Sequence, residues 1–118
     1  SEMCIRDRPV VLTADYMEHH PLARAEWLKF LAAFFESEDR GNEIFNTIKT
    51  QYTSLVDKTK GINERPSVFC GAPYSGSWYV PGGDSFIARA INDAGAHYLW
   101  ADDPSRGSLP LDSERVFL

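Results

Sequence analysis

Residues 64–100 decide the fold, and they read ERPSVFCGAPYSGSWYVPGGDSFIARAINDAGAHYLW. The short apolar run from Ser67 to Cys70 predicts a strand, and a loop rich in glycine and aromatic residues follows it. Asp84 or Ser85 then suits the N-cap of a helix, and a second apolar run, His97 to Trp100, predicts another strand. Two strands joined through a helix within about 35 residues form a βαβ unit, whose strands are expected to be parallel.

The residues before this unit predict two helices. Pro21 suits the first position of a helix, and Leu22 to Phe35 reads LARAEWLKFLAAFF, which is apolar on nearly every side and typical of a buried helix. Ser37 is placed to cap a second helix, Glu38 to Lys58, which has an apolar stripe at helical spacing. A β-like run, PVVLT at Pro9 to Thr13, precedes both. We therefore expect an α/β chain of long helices followed by a βαβ unit.

Both ends of the sequence have the character of cut ends. Residues 1–8, SEMCIRDR, are polar and patternless, and they resemble the foreign or disordered tails found at the edges of metagenomic assemblies. Residues 101–110 are predicted to be a polar loop, and residues 111–118 open like a helix capped by Asp112 or Ser113 and then stop. We therefore expect an internal segment of a larger protein, which would also explain a βαβ unit with only two strands.

The composition argues against several classes of partner. The net charge is -5, and the basic residues are scattered, whereas a nucleic-acid binder usually carries a basic patch. The longest nearly apolar run, Phe30 to Phe35, is far shorter than the roughly 20 residues that span a bilayer. The two cysteines, Cys4 and Cys70, lack the spacing of a metal site and are expected to be free thiols.

The loop from Gly71 to Asp84 is the first candidate for ligand contact. It follows a predicted strand at the edge where α/β sheets bind their ligands. Its aromatic residues are Tyr74, Trp78 and Tyr79. Aromatic faces with polar ends, held on a glycine-rich loop, suit a large planar or amphipathic ligand, but a structural turn whose aromatic side chains fill the core fits about equally well. The glycine spacing matches neither phosphate-loop pattern. Gly82-Gly83-Asp84 leaves only a weak anion site open, through backbone N–H groups at the helix start.

No set of residues predicts catalysis or a resident cofactor. Ser75 and Ser77 lack the surroundings of a nucleophile elbow, and nothing positions a pair of carboxylates for acid–base work. Glu18, His19 and His20 leave one metal site open, but adjacent histidines point in different directions and chelate poorly. We therefore expect no enzyme, no catalytic residue, no cofactor and no metal site.

From Glu64 to Trp100 the sequence resembles the periplasmic solute-binding proteins of ABC importers for iron complexes and cobalamin, and the upstream run PLARAEWLKFLAAFF is similar to theirs. The resemblance covers residues 9–118. It implies a two-lobed fold with a helical backbone, in which one long rigid helix joins two α/β lobes. It also implies that an iron–siderophore, haem or cobalamin-like chelate is held between the lobes and delivered to a membrane permease. The implied location is the periplasm, with a lipoprotein anchor in the parent protein.

The resemblance divides the chain into parts. Residues 9–20 would end the N-terminal lobe and connect it, residues 21–60 would form the inter-lobe helical segment from Leu22 onward, and residues 61–118 would begin the C-terminal lobe. The N-terminal lobe would then be a missing partner of this segment. The residues that would contact the ligand are Tyr74, Ser75, Trp78 and Tyr79.

A glutamate on each lobe docks on permease arginines in this family. The run LDSERV offers Glu114 for the C-terminal lobe, although its serine is adjacent instead of two residues away. Alternatively, Glu114 is an ordinary acidic residue, favoured in the first turn of a helix by the helix dipole.

Two other functions stay open on the residues alone. A hydrolase or carbohydrate-active domain would use the aromatic loop as a substrate platform, but it needs a positioned nucleophile and base. A helical interaction module would dock on a partner through the apolar helix, and an oligomer without ligand response would favour it. If the chain is a segment of a larger protein, an apolar patch around Trp27, Leu31 and Phe34 is expected to be exposed.

Overall fold

A computed structural model of the protein describes residues 8–117. After a short 3₁₀ helix at Asp15–Met17, the elements are α1 (Pro21–Ala33), α2 (Glu38–Thr59), β1 (Ser67–Val68), β2 (Ala72–Tyr74), β3 (Ser77–Pro81), α3 (Phe86–Asp93), β4 (His97–Tyr98), β5 (Ser108–Asp112) and α4 (Ser113–Phe117). The predicted α/β order of two helices and a βαβ unit is confirmed. Among these helices, none combines the length and the apolar character that crossing a membrane requires.

The βαβ unit forms where the sequence predicts it. Strands β1 and β4 pair in parallel, with Ser67 opposite His97. The hydroxyl of Ser85 caps α3 by accepting a hydrogen bond from the backbone N–H of Ala88 at 3.2 Å. Gly95, with φ of 83°, follows the end of the helix in the left-handed conformation that glycine adopts without strain. The strands are shorter than predicted, at two residues each.

The residues between β1 and α3 form a β-hairpin, so the prediction of a loop for the whole stretch was wrong. Strands β2 and β3 run antiparallel and are joined by Ser75 and Gly76, whose φ angles are 50° and 84°. Two positive φ angles in a two-residue connection are typical of the type I′ turn, whose twist suits a hairpin. The prolines did not exclude strands, because Pro73 lies in the edge strand β2 and Pro81 is the last residue of β3.

A third strand, β5, pairs with β3 where the sequence predicted the end of a polar loop. The pairing is antiparallel, with Leu109 opposite Val80 and Leu111 opposite Trp78. Val80 is fully buried, so the two leucines belong to the covered face of this sheet. The alternation SLPLD is short and contains Pro110, which an edge strand tolerates.

The helical segment folds back on itself. Helix α1 runs antiparallel along α2, with Ala32 near Gly41 and the Lys29 ammonium 4.0 Å from the centre of the Phe45 ring. A Cβ at Gly41 would lie 2.6 Å from the Ala32 Cβ, so glycine permits this close approach. The turn contains Glu36 at φ of 51°. The described segment is therefore a helical hairpin and not one continuous rod, and α2 alone extends about 33 Å.

Two local predictions upstream were wrong. Residues 9–13 lie in no strand, because no described strand runs beside them to accept their backbone hydrogen bonds. Ser37 precedes α2, but its hydroxyl donates to the Phe35 carbonyl at 2.9 Å and caps no N–H of the helix.

The apolar side of α1 remains accessible. Ala32 is the buried residue of this helix, whereas Leu31 is 46% exposed and Phe34 is 55% exposed. Trp27, Phe30 and Phe34 stack edge to face along the helix, with ring centroids 5.3 and 5.2 Å apart. Of the three residues of the predicted exposed patch, Leu31 and Phe34 are exposed and Trp27 is half-buried. The expectation that α1 is buried was wrong for the described residues.

Candidate ligand cleft

A cleft of about 490 Å³ lies between the segment before α1 and the start of α3. Its lining residues are Tyr16, Met17, Glu18 and His19, then Pro81, Ser85, Phe86 and Ile87, and finally Arg106, Gly107 and Ser108. This volume is within the range of roughly 300–1,000 Å³ that small-molecule sites occupy. Apolar and aromatic walls with a few polar groups are also typical of such sites.

The wall before α1 is held by two hydrogen bonds that involve Glu18 and His20, two of the residues of the metal site left open by the sequence. The indole N–H of Trp27 donates to Glu18 Oε1 at 3.1 Å, and His20 Nδ1 accepts from the backbone N–H of Leu22 at 3.1 Å. Glu18 and His20 thus each use one acceptor atom within the chain. Across residues 8–117, no group of three or more His, Cys, Asp or Glu side chains is arranged to hold a metal ion.

The Gly82-Gly83-Asp84 run fastens loop residues 100–107 to the start of α3. The backbone N–H of Gly82 donates to Gly107 O at 2.7 Å, and that of Asp84 donates to Ser105 O at 3.0 Å. A Cβ at Gly82 would lie 2.1 Å from Ser105 O, and one at Gly83 would meet three carbonyl oxygens within 2.5 Å. These glycines therefore permit close contact between loop residues 100–107 and the start of α3. Two of the amides that the anion site left open by the sequence would use, those of Gly82 and Asp84, already donate within the chain.

An ion pair reinforces the same contact. Arg106 Nε donates to Asp84 Oδ2 at 2.8 Å, and this hydrogen bond holds the pKa of Asp84 below its ordinary value. Arg106 lines the cleft, so the pair keeps a guanidinium at its edge.

Tyr98 supports the cleft from the core side. It is almost fully buried, and its hydroxyl donates to the carbonyl of Pro81, a lining residue. Burial raises the pKa of Tyr98 above its ordinary value, so the hydroxyl keeps the proton that it donates. Cys70 is a free thiol as expected, and burial raises its pKa as well. Cys4 lies outside the described residues.

The hairpin register separates the residues predicted to contact a ligand. Tyr74 and Tyr79 share one face of the sheet, with ring centroids 6.4 Å apart, and they are 75% and 41% exposed. Trp78 lies on the opposite face, where its ring is tilted against Phe69 at 6.2 Å. Ser75 is exposed in the turn. The structure thus brings the two tyrosines together but not Trp78 with them.

The tyrosine face is continuous with the cleft. Pro81 follows Tyr79 by two positions in β3, so both lie on the same face of the sheet, about 7 Å apart along the strand. Ser108 is opposite Pro81, and both line the cleft. The sequence did not predict the lining residues from positions 16–19 and 106–108, because they come from segments far apart in the chain.

Glu114 lies exposed in the first turn of α4. This is where the resemblance expected the docking glutamate, and it equally suits an acidic residue favoured by the helix dipole.

The comparisons with known proteins agree with the resemblance. A family model described as "Periplasmic binding protein" matches residues 7–117. The uncharacterized lipoprotein MJ0878 of Methanocaldococcus jannaschii is 31% identical over 107 residues, which cover 88% of this chain and 25% of that protein. The uncharacterized protein MJ0642 of the same organism is 24% identical over 94 residues, or 78% of this chain and 28% of that protein.

Two solved structures share the fold. A possible iron-binding, periplasmic solute-binding protein from Staphylococcus epidermidis ATCC 12228 superposes with a TM-score of 0.69 at 14% identity, over 84% of this chain and 38% of that one. An ABC transporter substrate-binding protein from Listeria monocytogenes EGD-e gives 0.68 at 15% identity, over 83% and 37%. The chain therefore belongs to the periplasmic binding protein family. It spans between 25% and 38% of the length of these four relatives.

Proposed function

We propose that this protein is the solute-binding component of an ABC importer and captures a metal chelate between two lobes. The observation that carries the proposal is the cleft between residues 16–19 and α3 in a chain that matches the family over residues 7–117. The names of the structural neighbours, one iron-binding and one an ABC transporter protein, support this class of solute and of partner.

The chemistry of the cleft suits a chelate with large apolar faces and a polar rim. Tyr74 and Tyr79 offer two exposed rings next to the cleft wall, and Ser75 adds a hydroxyl at the hairpin turn. Arg106, in the cleft lining, offers further N–H donors. An iron–siderophore, haem or cobalamin-like ligand combines these features. Trp78, on the other face, would act by holding the hairpin in shape.

The two-lobe arrangement is part of the proposal. Residues 9–20 would end the N-terminal lobe, residues 21–60 would form the helical segment between lobes, and residues 61–118 would begin the C-terminal lobe. The exposed side of α1, with Leu31 and Phe34, would then be covered by the rest of the protein. An extracytoplasmic location follows from the family, and the lipoprotein name of the M. jannaschii relative supports a membrane anchor.

Delivery to a permease would use Glu114. Its exposed carboxylate, on the first turn of α4, is free to approach a basic surface of a partner. If it docks on the permease, Glu114→Gln in the whole protein will lower uptake of the chelate and leave its binding affinity unchanged. Equal uptake by the wild-type protein and by Glu114→Gln would show that Glu114 is not part of the docking surface.

Tryptophan fluorescence of the whole protein tests the capture step. The panel contains ferric siderophores, haem, cobalamin and free divalent metals, and we expect a saturable change with one chelate. Tyr79→Ala should weaken that response. Truncating an aromatic side chain that a ligand buries can cost more than about 1 kcal/mol of binding free energy. Phe35→Ala is the control, since Phe35 is 77% exposed, follows α1, and belongs neither to the cleft lining nor to the sheet face that Tyr79 shares with Pro81. A response to bare metal alone, or to no member of the panel, would contradict the proposal.

A further inference from the structure

A second pocket, of about 360 Å³, runs along α3 and shares His19 and Ser85 with the ligand cleft. Its polar lining residues include Arg65, Asp84, Arg89, Asn92 and His97. Neither the comparisons nor the resemblance assigns it a role. Its chemistry differs from that of the cleft, because nitrogen donors and not aromatic rings dominate the side chains that line it.

Arg65 supplies the uncompensated charge. Its Nη1 donates to Asn92 Oδ1 at 3.3 Å, which is a long hydrogen bond to a neutral group. Across residues 8–117, Arg65 forms no ion pair with an acidic side chain. Arg65 is exposed, as are Asn92 and His97, and a guanidinium has five N–H donors, so most of its donor capacity is open to solvent or to a bound anion.

Two acidic side chains at the pocket, Asp84 in its lining and Asp93 at the end of α3, are already paired with arginines. Asp84 accepts from Arg106 at 2.8 Å. Asp93 accepts from Arg89 at 3.0 Å and from Tyr52 at 2.6 Å.

Among the charged side chains that line the pocket in the described part of the chain, Arg65 is the one without an acidic partner, because Arg89 and Asp84 are each held in an ion pair. Asp103, which does not line the pocket, lies close enough to act on Tyr98.

We propose that this pocket binds an oxyanion, in the form of a carboxylate or phosphate group, through Arg65 with Asn92 and His97 beside it. A planar guanidinium matches both oxygens of such a group, and charge-assisted hydrogen bonds of this kind are among the strongest in proteins. The Asn92 amide nitrogen is an additional donor, because its oxygen already accepts from Arg65. The site does not depend on the start of α3, where the backbone N–H of Asp84 and that of Ser85 donate within the chain.

The oxyanion has two sources with the same chemistry. It is either a carboxylate arm of the chelate in the cleft, reached past His19 and Ser85, or a small free anion bound separately. The site itself does not rest on the proposed capture of a chelate, since it is defined by its own side chains.

Calorimetry of the whole protein with inorganic phosphate and with citrate, without any chelate, tests the site. We expect saturable binding of at least one anion and a loss of about tenfold or more in affinity for Arg65→Gln. Arg65→Lys keeps the charge but not the planar fork, and it should restore part of the affinity. Arg40→Gln is the matched control, because Arg40 pairs with Glu43 on the exposed side of α2. Circular dichroism checks that each variant is folded.

The outcomes separate the two sources and the two proposals. A weaker affinity of Arg65→Gln for a carboxylate-bearing chelate, but not for its amide analogue, identifies the arm of the ligand. If Arg65→Gln binds the anion more weakly but binds the chelate and its amide analogue with unchanged affinity, the oxyanion is a free anion. Anion binding without any chelate binding would support the pocket and contradict the proposed function. No binding of either anion at millimolar concentration, or equal losses for Arg65→Gln and Arg40→Gln, would overturn the inference.

Discussion

The hydroxyl of Tyr52 in α2 donates a 2.6 Å hydrogen bond to Asp93 Oδ2 at the end of α3, 41 positions further along the chain. Arg89 donates to the same oxygen at 3.0 Å, and the Thr59 hydroxyl donates to the Asp93 carbonyl at 2.9 Å. The Asp93 side chain is only 9% exposed. This polar cluster fastens the βαβ unit to the long helix, and it thereby sets the position of the cleft wall on α3.

Tyr52→Phe should lower the free energy of unfolding by about 1–3 kcal/mol, because it removes a partly buried hydrogen bond to a charged group. Urea denaturation measures the change. Tyr74→Phe is the matched control, since the Tyr74 ring is 75% exposed, and it should leave the stability unchanged. Equal stabilities for wild type and Tyr52→Phe would show that the contact does not hold α3 on α2.

The same contact predicts how stability depends on acid. Burial alone would raise the pKa of Asp93, but the hydrogen bonds from Tyr52 and Arg89 outweigh it and bring the pKa below its ordinary 3.8. A carboxyl whose pKa is lowered by folding stabilises the protein above its unfolded pKa, and this contribution is lost as pH falls through the folded-state pKa. Urea titrations from about pH 5 to about pH 2 should therefore show a smaller loss for Tyr52→Phe than for wild type. Parallel curves would contradict this assignment.

A methyl group at Gly82 should disrupt the contact between the cleft and its neighbouring loop. The new Cβ would lie 2.1 Å from Ser105 O, so the backbone of the loop must move, and overpacking of this kind typically costs about 1–3 kcal/mol. Gly107→Ala is the control, because nothing lies within 4 Å of its added Cβ. Thermal unfolding compares the two variants. A Gly82→Ala protein as stable as Gly107→Ala would show that the close approach is not required.

The parts of the fold that could be predicted are those encoded locally. The βαβ unit follows from the cap at Ser85, the stop at Gly95 and the apolar runs on either side. The three-stranded sheet could not be predicted, because β3 pairs with β5, whose residues lie about 30 positions away and carry a weak pattern. The register of the hairpin then determines which of the predicted ligand contacts lie together, since Trp78 and Tyr79 are neighbours in one strand and point to opposite faces.

The exposed side of α1 makes a prediction about the 118-residue chain by itself. Leu31 and Phe34 form part of an accessible apolar patch, so the chain should enhance the fluorescence of a hydrophobic dye. Leu31→Glu with Phe34→Glu should reduce the enhancement, whereas Ile62→Glu, at a distant exposed position, should not. A compact monomer by light scattering that binds no dye would contradict the view that a further part of the protein covers this side.

Isothermal titration calorimetry of the whole protein with a chelator, in its metal-loaded and its metal-free form, tests the central claim most directly. If the protein captures a metal chelate in the cleft, one loaded member of the panel will bind saturably, with one ligand per protein and a higher affinity than its metal-free form. The absence of binding heat for every loaded chelate, with a folded protein, would contradict the assignment as the solute-binding component of a chelate importer.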